Sequence, residues 1–233
     1  ALLPSKMVDK KAYLADYLLS ADLSTDVTNW INDGALIVNY SGHASLQQWA
    51  AEAVFINADV STLTNTGKYP FVISMSCLTG YFGYLDAVLG AEPSLAEALL
   101  LPAGKGAVAA LMPTGMTTTV GQQILNNAVF EAFFVNDIRQ LGPAIASAKQ
   151  TLLANGDAYF EQISQTFLLF GDPALTLKIP LPRMPSGVKA YRENNRVRIR
   201  WNAAKDANGN PVAGYNIYRA SSPAGPYSKV NTE

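Results

Sequence analysis

Cysteine and histidine are almost missing from this 233-residue chain, which holds one of each, Cys77 and His43. A lone cysteine excludes an internal disulfide and any zinc site built on a cysteine cluster, and it leaves the redox compartment unreadable. Long apolar runs are missing too: none approaches the roughly 18 to 20 residues that a membrane span needs, so no membrane span is expected. Neither sign of charge dominates, with 17 Lys and Arg against 18 Asp and Glu. That balance removes any broad attraction to nucleic acid or anionic lipid, and no nucleic-acid partner is expected. The opening "ALLPSKMVDKK" has neither a starting methionine nor a basic stretch followed by an apolar one. It reads as a processed or trimmed product rather than as a signal peptide.

What is present is apolar material, 49% of residues, enough for a substantial core. The length allows one large domain, or one plus a small companion. "DKKAYLADYLL" and "STDVTNWINDG" read as short amphipathic helices, the second with Ser24 as N-cap and Gly34 as its stop. "ALIVNY", "FVISM" and "GAVAALM" are continuous apolar runs, as expected of strands covered by helices on both faces. Between and after them, "SLAEALLL" carries a capping box at Ser94 and Glu97, and "TTVGQQILNNAVFEAFFVND" and "LGPAIASAKQTLLANG" have helical spacing. This alternation predicts an α/β fold with a mostly parallel sheet between helices. "FLLFGDPALTLKI" reads as a helix broken at Gly171 to Pro173 and followed by a last short strand. The proline-rich "PLPRMPSG" then marks a boundary, giving a first domain over 1–180 and a second over 181–233. There the pattern becomes alternating, in "VRIRWNA" and "GYNIYRA", which predicts an antiparallel β-module too short to be a whole sandwich.

His43 follows the first strand run in "NYSGHAS", and Cys77 follows the second in "SMSCLTG". Ligands of open parallel sheets bind beyond the carboxyl ends of the strands, where both residues fall. The small residues flanking His43 let a substrate approach the backbone and leave main-chain N–H groups free to face it. A thiolate is a nucleophile, and an imidazole can assist it and protonate a leaving amine. Ser41, Ser45 and Ser76 flank the pair but show no G-x-S-x-G elbow, so they read as pocket lining rather than as nucleophiles. "PAGKGA" lacks the spacing of a phosphate loop and reads as a turn before a strand.

"NYSGHAS", then "YPFVISMSCLTGYF", and later "FGDPAL" resemble, in order and over roughly residues 30 to 180, the gingipain family of cysteine peptidases, which has the caspase-like fold. The resemblance implies an endopeptidase that works through an acyl-enzyme, with His43 and Cys77 as its dyad and the N–H groups of Ala44 and Cys77 as its oxyanion hole. It implies substrate binding by Ser41, Gly42, Ser45, Met75 and Ser76 with the loop "MPTGMT". It also implies a protein or peptide substrate and a secreted or cell-surface location. Ala44 stands where family members usually carry glycine, which would narrow the cleft. The family's sheet starts with strands further upstream of the histidine than this chain reaches, so an N-terminal portion of the same enzyme is an expected partner. If P1 is Lys or Arg, the acid that neutralises it is expected on that portion. No cofactor is required; calcium, which relatives bind, would fall to carboxylates such as Asp86 and Glu92. Asp172 reads as a turn former. Two alternatives stay open: a sortase-like transpeptidase of the same family, and a non-catalytic adhesion or binding module. The tail is similar to the first half of a fibronectin type III domain, with Trp201 on its B strand and Tyr215 and Tyr218 on its C strand.

Overall fold

The computed structural model describes residues 3, 7–83, 93–179, 185–194, 196–205, 211–212, 214–222, 225 and 227–231. The chain divides into two compact units, Ala1–Lys178 and Ile179–Glu233.

In the first unit, helix α1 (Ser20–Asp33) buries Leu23 and Ile31, with Val27 partly buried between them. The four-residue spacing of the three places them on one stripe. Gly34 ends the helix in the left-handed region at φ 105°, its N–H closing back on the carbonyls of Ile31 and Trp30. Strand β1 (Ile37–Ser41) follows; β2 (Gln48–Trp49) and β3 (Phe55–Ile56) form a small hairpin; α2 (Asn57–Thr62) leads to β4 (Phe71–Met75). Helix α3 (Leu95–Leu100), with Ser94 and Glu97 forming the expected capping box, precedes β5 (Ala109–Pro113). Helices α4 (Thr119–Phe134), α5 (Leu141–Leu153) and α6 (Ala158–Thr166) then lead to β6 (Phe167–Phe170).

The sheet order is β1-β4-β5-β6. β1, β4 and β5 run parallel and β6 antiparallel to β5, so the fold is the α/β arrangement that the alternation of elements predicts. Every residue of β4 and β5 is buried, as continuous apolar runs require. On one face Val72 and Met112 join Leu23, Ile31, Trp49, Phe55, Val60, Leu95 and Leu99 in a single apolar cluster. On the other, Phe71 meets Phe133 of α4 edge to face at 6.0 Å, and α5 and α6 pack on α4.

Five local expectations are corrected. "DKKAYLADYLL" forms only a 3-10 turn at Leu14–Asp16. Leu18 and Leu19 there are 100% and 63% exposed, so no buried face stabilises a helix of that length. α1 starts at Ser20, not Ser24; the Ser24 hydroxyl lies inside the helix and donates to Asp59 Oδ2 at 3.4 Å. β1 is half-buried rather than covered on both faces, because it ends the row of strands among the described residues. "FLLF" is strand rather than helix: its register with β5 (Ala110↔Phe170 to Pro113↔Phe167) satisfies its backbone. A four-residue apolar run cannot be assigned by periodicity alone. After Gly171 to Pro173 there is no further strand among the described residues, only an isolated bridge from Thr176 to Gln140.

In the second unit, β7 (Ser186–Glu193) and β8 (Arg196–Asn202) form an antiparallel hairpin, and β9 (Tyr218–Arg219) pairs with β10 (Ser228–Lys229). Trp201 meets Tyr215 edge to face at 5.0 Å, and the Tyr215 hydroxyl accepts from the Ala204 N–H at 2.6 Å. Pro182, Arg183 and Met184 of the proline-rich boundary and most of the turn "KDANGNPVA" lie outside the described residues.

Candidate active site

β1 and β4 are paired in register, the last pair being Ser41↔Met75. The Gly42 N–H donates to the Met75 carbonyl at 3.1 Å, which carries the pairing one residue past β1. Beyond that point the chains separate. The first turns into a hairpin in which Ala50 N–H donates to the His43 carbonyl at 2.8 Å and Ser45 N–H to the Gln48 carbonyl at 3.0 Å. Ala44 bridges Trp49 between these bonds. In such a wide pair the residue's own N–H points away from the ladder. Accordingly, neither the Ala44 N–H nor the Cys77 N–H donates a backbone bond among the described residues.

The His43 loop is fixed from below. Tyr40 stacks on Trp49 with ring centroids 4.6 Å apart and planes within 6°, and its hydroxyl donates to the His43 carbonyl at 2.5 Å. Burial pushes the Tyr40 phenol above its ordinary pKa, with the Glu52 carboxylate adding to the rise. Gly42 makes this fold-back possible, since a Cβ there would stand 2.6 Å from the Tyr40 hydroxyl. Trp49 is itself buried, and its indole N–H donates to Ser74 Oγ at 2.9 Å. Ser74 Oγ is 2.7 Å from Ser76 Oγ, which is 3.2 Å from Thr79 Oγ1. An indole can only donate, so Ser74 accepts there and is free to donate onward to Ser76. This buried chain joins the floor of the histidine loop to the turn after Cys77.

Cys77 is half-buried and stands against the loop between β5 and α4. Thr117 N–H donates to its Sγ at 3.5 Å, and Thr117 O and Oγ1 lie 3.7 Å and 3.8 Å from the sulfur. The Thr117 hydroxyl donates to the Ser76 carbonyl at 2.6 Å. Its one proton is thereby used, so toward sulfur this oxygen can only accept. Gln122, buried in the first turn of α4, donates through Nε2 to the Ser76 carbonyl at 3.0 Å and to Thr117 Oγ1 at 2.7 Å. Leu78 turns the chain sharply with φ 64°. That left-handed conformation costs a residue with a Cβ on the order of 1 to 3 kcal/mol. It is held by Leu78 N–H to the Gly115 carbonyl and Gly80 N–H to the Pro113 carbonyl.

Of the residues expected to line a pocket, Ser41, Gly42 and Ser45 are exposed beside the exposed His43. Met75 and Ser76 are placed otherwise: they are 1% and 0% exposed, Met75 because every β4 side chain is covered and Ser76 because its hydroxyl joins the buried chain. Neither side chain reaches a substrate as the protein stands. Tyr40, Trp49, Ser74 and Gln122 escape the sequence reading. A signal existed for Gln122, a polar side chain on the same α4 stripe as the buried Leu125 and Val129. Asp172 acts as a turn former, its Oδ1 accepting from the Ala174 N–H at 2.8 Å. Lys105 of "PAGKGA" donates to the Ser61 carbonyl at 2.6 Å in the loop before β5. Asp86 and Glu92, the carboxylates considered for calcium, lie outside the described residues. No group of three or more His, Cys, Asp or Glu that could hold a metal ion occurs among the described ones. No helix among them is long and apolar enough to cross a membrane.

A family model described as peptidase family C25 matches residues 1–178. Gingipain R2 of Porphyromonas gingivalis is 26% identical over 197 residues, which cover 77% of this chain and 25% of that protein. Gingipain R1 of Porphyromonas gingivalis is 27% identical over 197 residues, covering 79% and 19%. The crystal structure of the Arg specific cysteine proteinase gingipain R (RGPB) is similar with a TM-score of 0.60 at 22% identity, over 90% of this chain and 48% of that one. The complex of Porphyromonas gingivalis RgpB pro- and mature domains has the same TM-score at 21% identity and the same coverage. The chain thus spans a quarter or less of these curated relatives and about half of the solved chains. The structural likeness establishes a shared α/β fold.

Proposed function

The chain belongs to peptidase family C25, and from that premise we propose that it is the cysteine endopeptidase part of an enzyme in which Cys77 is the nucleophile and His43 the general acid and base. The observation that carries this reading is the register: both residues stand two places beyond the pair Ser41↔Met75 on adjacent parallel strands. Cys77 Sγ, its proton passed to the His43 imidazole, attacks the scissile carbonyl carbon, and the oxyanion is held by the N–H groups of Ala44 and Cys77, which no backbone carbonyl engages among the described residues. The C–N bond then breaks, the amine leaves with a proton from the imidazole, and water activated by the same imidazole releases the acyl group from sulfur.

The substrate is a protein or peptide, and the enzyme works outside the cell or on its surface. Ser41, Gly42 and Ser45 beside His43 are uncharged. A basic P1 side chain buried against them would cost several kcal/mol without an acid to pair with. The arginine specificity of the similar proteinase gingipain R is therefore not carried over to these three residues. Residues 181–233 are an accessory module similar to part of a fibronectin type III domain. The alternation along β8 and the contact of Trp201 with Tyr215 support that reading.

Active-site labelling tests the proposal. A peptidyl acyloxymethyl ketone is expected to add its acyl-methyl group to Cys77, located by peptide mass. Cys77→Ala abolishes labelling and peptide hydrolysis, and His43→Ala lowers turnover by roughly 10² to 10⁴. Hydrolysis that survives Cys77→Ala, in protein free of other peptidases, rules the proposal out.

A further inference from the structure

The near balance of charge in the whole chain hides two unlike units. Residues 179–233 carry nine Lys and Arg against three Asp and Glu, whereas residues 1–178 carry eight against fifteen. Five of the nine cations stand on one hairpin. Along β8, Arg196, Arg198 and Arg200 share one face and Val197, Ile199 and Trp201 the other, because successive strand residues alternate. The register Lys189↔Arg200, Tyr191↔Arg198, Glu193↔Arg196 puts Lys189, Tyr191 and Glu193 on the arginine face, and Arg192↔Val197 leaves Arg192 on the other. These six residues of the arginine face are exposed, as are Asn202 and its partner Ser186 at the far end of the same face. Glu193 pairs with Arg198 at 2.9 Å, but both side chains are about half exposed, so the pair holds the arginine weakly. Among the described residues no acidic side chain pairs with Lys189, Arg196 or Arg200. On the opposite face Ile199 and Trp201 are half-buried.

We propose that the arginine face of the β7–β8 hairpin binds an extended anionic polysaccharide, sulfated or carboxylated. Steps of two residues space the guanidinium stems by about 6.6 to 6.8 Å along β8. The cross-strand position of Lys189 adds a cation about 5 Å to the side. Guanidinium groups grip sulfate and carboxylate oxygens two at a time. Tyr191 is the one aromatic ring on this face, too little to stack a run of bases. The one amide on the face, Asn202, spends a proton of its Nδ2 on Ser186 Oγ at 3.2 Å, and a single amide cannot read a run of base edges; no apolar side chain on the face could enter a lipid surface. A ribbon of sugar rings needs none of these, only charges at a regular pitch on a flat, wetted surface. This inference is independent of the chemistry at Cys77.

The test uses the full chain. It is expected to leave immobilised heparin at higher salt than a sulfonate cation exchanger, and in solution to bind heparin oligosaccharide more tightly than duplex DNA or phosphatidylserine vesicles. The triple variant Arg196→Ser, Arg198→Ser, Arg200→Ser should lose at least tenfold in affinity for the oligosaccharide. Its log–log salt slope should shrink by about three, roughly one per lost ion contact. Arg192→Ser, on the opposite face, should change affinity less than twofold. If the triple variant does not fold, Arg196→Ser and Arg200→Ser alone decide, each expected to weaken binding about threefold with an unchanged near-ultraviolet dichroism spectrum. Retention no stronger than on the sulfonate resin, tighter binding to DNA or to vesicles, or a loss in Arg192→Ser equal to that of the arginine-face variants would overturn the proposal.

Discussion

His43 and Cys77 each follow by two residues the last paired residues, Ser41 and Met75, of the neighbouring parallel strands β1 and β4. Parallel strands leave a sheet at one edge, so the pairing sets the level from which both loops start. Their loops set the direction. The His43 loop rests on Tyr40 and Trp49, the Cys77 turn on Thr117 and Gln122, and the Trp49–Ser74–Ser76–Thr79 chain runs beneath both.

Gly42→Ala would bring a Cβ to 2.6 Å from the Tyr40 hydroxyl. The expected cost is about 1 to 3 kcal/mol of stability, typical of overpacking. Part of it should return in the double variant with Tyr40→Phe, which removes the clashing oxygen, so the two effects will not add. Urea unfolding of the four proteins of the cycle measures this; strict additivity would mean that the loop yields elsewhere.

Ser74→Ala removes the acceptor of a buried indole N–H. An orphaned donor of this kind costs about 1 to 3 kcal/mol. Denaturant unfolding followed by tryptophan emission reports it, with the midpoint falling and the slope unchanged. A cost below about 0.3 kcal/mol would show that Trp49 finds another acceptor.

Gln122 and Thr117 are positioning residues for Cys77, a role that rests on the proposed chemistry. Gln122→Leu should lower kcat roughly ten- to hundredfold while KM changes less than about twofold, since misplacing a nucleophile by about 1 Å can cost that much. Thr117→Ser keeps the hydroxyl that donates to the Ser76 carbonyl and should retain most activity, whereas Thr117→Val, closer in shape, should lose it. Equal activity of the serine and valine variants would exclude the hydroxyl as the hold on this turn.

Tyr40 should give the protein an alkaline limit. Its phenol is raised in the folded state, chiefly by burial, so the folded protein keeps a proton that the unfolded chain loses near its ordinary value of about 10. The stabilisation is therefore complete below that pH and is lost as pH rises through the folded value. Between pH 9 and 11 the urea midpoint of the wild type should fall more steeply than that of Tyr40→Phe. Parallel curves would show that Tyr40 titrates alike in both states.

Much of the organisation lies open in the sequence. Continuous apolar runs mark β4 and β5 because burial on both faces demands them, and Ser94 with Glu97 marks the start of α3 because its first N–H groups need acceptors. Strand followed by small residues also marks His43 and Cys77. The short segments misled: "FLLF" is equally apolar as helix or strand, and only its register with β5 decides between them.

What the sequence determined by itself is the α/β plan, the switch to alternation after residue 180, and which two residues could carry nucleophilic chemistry. These follow from spacing and residue type, which local physics can read. The tertiary structure alone decided that Met75 and Ser76 face inward, that Thr117 and Gln122 hold the Cys77 turn from 40 or more residues away, and that Trp49 reaches Ser74 across 25 residues. Hydrogen bonds across such separations leave no periodicity in a sequence, because their partners are chosen by which strands become neighbours and not by distance along the chain.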